Sequence, residues 1–72
     1  MAMHLKAARV NAGLTQVDTL EAIYMATGQK IAQSTLVSWE KERTFPSVPM
    51  FKVLCTIYKV DMSDIFVPET LT

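Results

Sequence analysis

The sequence predicts an all-α fold of five short helices, and three observations carry that expectation. Apolar residues recur at three- and four-residue spacing in short blocks, each block is bounded by a capping residue or a Gly or Pro stop, and 72 residues leave room for one small domain only.

The first helix is expected over residues 4–10. Leu5, Ala8 and Val10 are interleaved there with Lys6 and Arg9, and Asn11, Ala12 and Gly13 supply the stop. Thr15 is a good N-cap with Asp18 three residues on, so a second helix should run from there to about residue 26. Its apolar residues Val17, Leu20, Ile23 and Tyr24 recur at helical spacing. Thr27 and Gly28 read as a C-terminal stop, and residues 29–32 as a turn or irregular link. The third helix covers residues 33–42, with Leu36 and Trp39 on one face and Gln33, Ser34, Val37, Ser38 and Lys41 on others.

Phe45 and Pro46 then break the chain, and Ser47 caps a fourth helix reaching about residue 59. Pro49 is tolerated in its first turn because the amide it lacks would be unpaired in any case. Phe51, Leu54, Cys55 and Tyr58 follow the i, i+3, i+4, i+7 rule and form its inner face. Asp61 is expected to cap a fifth helix through about residue 66, with residues 67–72 as a tail carrying Val67 and Leu71.

Composition narrows the function. Half the residues are apolar and 19% are charged, which marks a globular chain. Seven Lys plus Arg balance seven Asp plus Glu, so no global basic excess draws the protein to nucleic acid, and any such contact must come from local charge. A single Cys55 and a single His4 exclude an internal disulfide and a zinc site made from the pair, so no metal or cofactor is expected and a reducing cytoplasm is the expected setting. No apolar run reaches the roughly 18 residues of a membrane span, and no signal peptide is evident. With no Gly-rich phosphate loop and no nucleophile beside a base, an active site and a small-molecule substrate are not expected.

Taken in order, Leu5, Arg9, the run from Gly13 through Leu14 and Thr15 to Gln16, then Ser34, Thr35, Leu36, Trp39, Glu40, Arg43, Pro46, Ser47, Asp64, Ile65 and Phe66 resemble the XRE class. This is the Cro and phage-repressor family of helix-turn-helix proteins, and the resemblance covers residues 5–66. It implies a lambda-repressor-like domain whose default ligand is double-stranded DNA. One departure stands out. Gln16 and Gln33 are 17 positions apart where the family usually places about eleven, so the turn carries about six extra residues. These either lengthen the second helix by more than a turn or form a loop around residues 27–30.

The resemblance also assigns roles. The motif's second helix would lie in the major groove while the preceding helix points its N-terminus at a phosphate. Gln16, one residue past the Thr15 cap, would hold that phosphate with the first-turn N–H groups. Gln33, Ser34 and Ser38 match the base-reading positions, and Gln is suited to adenine. Thr35 would meet a phosphate or support the turn, and Val37 would touch a thymine methyl or serve as partner surface. Lys41 and Arg43 would bind phosphates, with Glu42 standing where the family often has Gly. Ala32 stands where the family often has a Ser cap. Arg9 and Glu40 would form a structural pair, and Trp39 continues the core face of Leu36.

The expected activity is that of a Cro-like transcriptional repressor occupying an operator. A module this small usually gains specificity as a two-fold dimer. Met50, Val53, Ile57, Met62, Val67 and Leu71 exceed what one small core can cover, so a weak homodimer is expected. The competing expectation is a modulator or antirepressor that pairs with a phage repressor. Zero net charge, the apolar surplus and Ala32, Val37 and Glu42 favour it.

Overall fold

The computed structural model describes residues 3–65. They form four α-helices followed by one short 3-10 turn, with no strand among the described residues. The helices are α1 (Leu5–Asn11), α2 (Gln16–Thr27), α3 (Gln33–Glu40) and α4 (Val48–Tyr58). The fifth helix is thus corrected to a single 3-10 turn, Met62–Asp64. The physical reason is the chain's next step. Ile65 turns extended and forms an isolated parallel bridge with Met3, whose N–H donates to the Asp64 carbonyl at 2.8 Å. Phe66 and the tail residues Val67 and Leu71 lie outside the described residues.

Local chemistry explains most boundaries. At the start of α2 the Thr15 hydroxyl accepts from the Asp18 N–H and the Asp18 carboxylate accepts from the Thr15 N–H, each at 3.0 Å, which closes a reciprocal capping box. Ser47 caps α4 by accepting from the Met50 N–H at 3.3 Å, and Pro49 sits in that first turn as expected. Ala32 supplies no side-chain bond to α3. Three helices end in the same six-residue turn: after α1 the Leu14 N–H reaches the Arg9 carbonyl, after α3 Arg43 reaches Ser38, and after α4 Val60 reaches Cys55, at 3.0 to 3.2 Å. That turn needs a left-handed residue. Gly13 supplies it at φ 75°, but Glu42 (φ 60°) and Lys59 (φ 58°) supply it in the other two turns. Because Glu42 turns the chain there, α3 ends at Glu40, two residues short of the expected position.

The long connection between α2 and α3 is both a longer helix and a loop. α2 runs 12 residues to Thr27, about 18 Å, and Gly28 at φ 73° stops it by donating to the Tyr24 carbonyl. Residues 28–32 then cross to α3, pinned by Ile31 against the core.

The core joins Leu5 and Ala8 of α1, Ile23 of α2, Leu36 and Trp39 of α3, and Met50, Phe51, Leu54, Cys55 and Tyr58 of α4 with Ile65. α2 packs on α4 and α3, and α1 also packs on both. The expected inner face of α4 is buried throughout. Two expectations change. Met50 belongs to the core, so it leaves the apolar surplus assigned to a dimer. In α2 the buried residues are Thr19 and Ile23, whereas Val17 and Tyr24 are 59% and 52% exposed. Thr19 is accommodated because its hydroxyl donates to the Thr15 carbonyl at 3.1 Å. Burial raises the pKa of the Tyr58 hydroxyl above the ordinary value, an effect that the Thr19 side chain partly offsets. No described helix is long and apolar enough to cross a membrane.

Candidate nucleic-acid interface

The first residues of α2 and α3 meet. The Gln33 amide nitrogen donates to the Gln16 amide oxygen at 3.1 Å, and the Gln16 nitrogen donates to the Glu40 carboxylate at 3.2 Å. That carboxylate is the hub of a buried cluster. Arg9 Nε donates to Glu40 Oε2 at 2.7 Å and Arg9 Nη2 to Oε1 at 3.4 Å, with the two side chains only 11% and 4% exposed. The third guanidinium nitrogen donates to the Leu14 carbonyl at 2.8 Å, tying α1 to the connection before α2. The hydrogen bond to Glu40 holds the Arg9 pKa above its ordinary value despite desolvation. The expected Arg9–Glu40 pair is therefore present, and it does more than join two helices: through Gln16 it positions Gln33.

This arrangement sets what each terminal amide can offer. Gln33 is exposed and keeps its carbonyl oxygen and one N–H for a ligand, the acceptor and donor that pair with one adenine edge. Gln16 is half-exposed with both ends of its carboxamide engaged, which leaves it a single N–H. Asp18 lies in the same first turn, its pKa lowered by the hydrogen bonds from Thr15, so its charge offsets the positive end of α2.

Beyond Gln33, Ser34 is exposed and Thr35 half-exposed on the first turn of α3. Ser38 is half-buried and shares a 2.9 Å hydroxyl hydrogen bond with Thr44. Thr44 was not singled out in the sequence, because it lies beyond the helix and outside any periodic pattern. Val37 is half-buried, so only part of its side chain is available to a ligand. Lys41 and Arg43 are exposed in the turn that ends α3. Between them Glu42 is paired with His4 Nδ1, at the residue preceding α1.

The structure thus brings Gln16 and Gln33 into contact, links Ser38 to Thr44, and sets Lys41 and Arg43 in one turn. A separate apolar groove runs along the outside of α2, lined by Val17, Leu20, Tyr24 and Ile31 with Glu21 and Lys30. Among the described residues no cluster of His, Cys, Asp and Glu is suited to hold a metal ion. Scans against protein-family models, curated proteins and solved structures found no match to the chain.

Proposed function

We propose that this chain is a helix-turn-helix regulator of the XRE and Cro type that binds an operator in double-stranded DNA, with α2 and α3 as the motif and α3 in the major groove. The observation that carries the reading is the side-chain bond between Gln16 and Gln33, the first residues of the two helices. It presents one amide to a base edge and a second beside it to the backbone, and both are anchored through Glu40 to the core. Ser34 and Ser38 extend the base-reading row, Thr35 and Val37 flank it, and Lys41 and Arg43 supply phosphate contacts.

Occupying an operator requires no cofactor and no catalytic group, and repression follows from excluding polymerase or a competing regulator. One module buries about 600–1,000 Å² against DNA, so a homodimer on half-sites about 34 Å apart is part of the proposal. The test is selection from a randomised duplex library, followed by fluorescence anisotropy on the enriched sequence at several salt concentrations. A palindrome with steep salt dependence is expected. Gln33→Ala with Ser38→Ala should then cost about 1–3 kcal/mol per lost contact, while Lys41→Ala should weaken all sequences alike. No enrichment at low salt overturns the reading.

A second reading, a modulator that pairs with a repressor protein, is favoured by one observation. Val17 and Tyr24, 59% and 52% exposed, line the apolar groove on the outside of α2. Replacing Val17 and Tyr24 by Ser separates the two readings, since it should leave duplex binding intact and abolish capture of a protein partner.

A further inference from the structure

The turn after α3 contains a residue at odds with phosphate contact. Glu42 places a carboxylate between Lys41 and Arg43, the two exposed cations of that turn. It does so in a left-handed conformation, φ 60°, that penalises every residue with a Cβ, whereas the equivalent turn after α1 uses Gly13. Its carboxylate is not spent on either neighbour: the partner is His4, and neither Lys41 nor Arg43 forms an ion pair among the described residues. His4, the residue preceding α1, reaches across to this turn through Glu42.

Resting on the DNA-binding reading above, we propose that Glu42 is an electrostatic brake on the Lys41–Arg43 turn, held aside by His4, which weakens phosphate contact with duplex DNA of any sequence. A phosphate approaching the turn meets one net positive charge where the two cations alone would present two. Sequence-independent affinity depends on how many phosphates are neutralised, so the brake acts on every duplex alike. Occupancy then rests on base contacts from α3 and on pairing of two modules. His4 limits the effect, because a carboxylate released from it is free to fold onto Lys41 or Arg43 and occupy the cation directly.

The experiment is anisotropy of the full chain against a labelled mixed-sequence duplex over a series of salt concentrations. Glu42→Gln should bind several-fold tighter at low salt, and its plot of log affinity against log salt should steepen by about one. Glu42→Gly should match that affinity and also melt at higher temperature, since it removes the left-handed penalty. It remains informative if the Gln variant folds poorly. His4→Ala should bind several-fold more weakly than the parent and have no effect when Glu42 is already Gln. Parental affinity and salt slope in both Glu42 variants would overturn the brake while leaving DNA binding intact. Failure of the parent and of every variant to bind any duplex at low salt would instead remove the DNA-binding reading, and the brake with it.

Discussion

α2 and α3 both begin with a glutamine, yet their starts are held in opposite ways. α2 is closed locally at each end, by the Thr15 and Asp18 capping box and by left-handed Gly28. α3 begins at Ala32, which supplies no cap, and ends on a left-handed Glu42. Order in α3 comes from elsewhere: Leu36 and Trp39 are in the core, Gln33 is tied to Gln16, and Glu40 is tied to Arg9 of α1. An eight-residue helix is far below the length that is stable alone in water, so these contacts decide whether α3 forms at all. A helix that reads DNA need not be stable on its own. Under the proposed reading α3 has only to be held in one place, and the contrast with α2 identifies the contacts that hold it.

The largest test of this contrast is at the hub. Glu40→Ala leaves Arg9 buried and unpaired, and should cost about 3–5 kcal/mol, a large part of the stability of a domain this size, measured by chemical denaturation. Replacing both, as Arg9→Met with Glu40→Leu, should recover most of that loss because no uncompensated charge remains. The double variant sharpens the point: with Gln16 deprived of its anchor, duplex affinity should stay low although the fold is restored. Full affinity in the double variant would break the proposed link between core and interface.

At the caps the effects are smaller and opposite in sign. Thr15→Ala should destabilise by about 1 kcal/mol, and Ala32→Ser, which supplies α3 with the cap it lacks, should stabilise by a similar amount. Urea midpoints of the two variants check both. If Ala32→Ser changes nothing, tertiary contacts already hold the first turn of α3 completely. The smallest effect concerns acid. Asp18 has a folded pKa below its ordinary 3.8, so its contribution is present above that value and is lost as pH falls through the lower folded value. Asp18→Asn should therefore lower the melting temperature slightly at neutral pH, with the gap to the parent closing on acidification.

Much of this could be read along the chain, and the failures have physical causes. The caps at Thr15 and Ser47, the stop at Gly13 and the buried stripe of α4 involve residues within one or two turns of each other, where spacing determines contact. The face of α2 could not be read in the same way. The expected set of Val17, Leu20, Ile23 and Tyr24 spreads over about a third of the helix circumference, and local spacing does not say which edge of it the core takes. Packing against α3 and α4 took in Ile23 and part of Leu20, left Val17 and Tyr24 exposed, and buried Thr19, whose hydroxyl is satisfied by its own helix. The expected fifth helix reduced to one turn because Ile65 pairs with Met3, a contact spanning nearly the whole described chain. At the candidate interface Gln16, Gln33 and Glu40 were identifiable by type and position. Its coupling was not, since Gln33 reaches Gln16 across 17 positions and Gln16 reaches Glu40 across 24.

By itself, then, the sequence determined that the chain is helical, where most helices start and stop, and which polar residues stand at the ends of α2 and α3. Those properties depend on neighbours a few residues away, for which the helix fixes geometry in advance. Only the tertiary structure decided which face of α2 is buried, how the long connection divides between helix and loop, and that Arg9, through Glu40 and Gln16, holds Gln33 in place. Those depend on a balance of desolvation and pairing between elements far apart in the chain, which no local pattern contains.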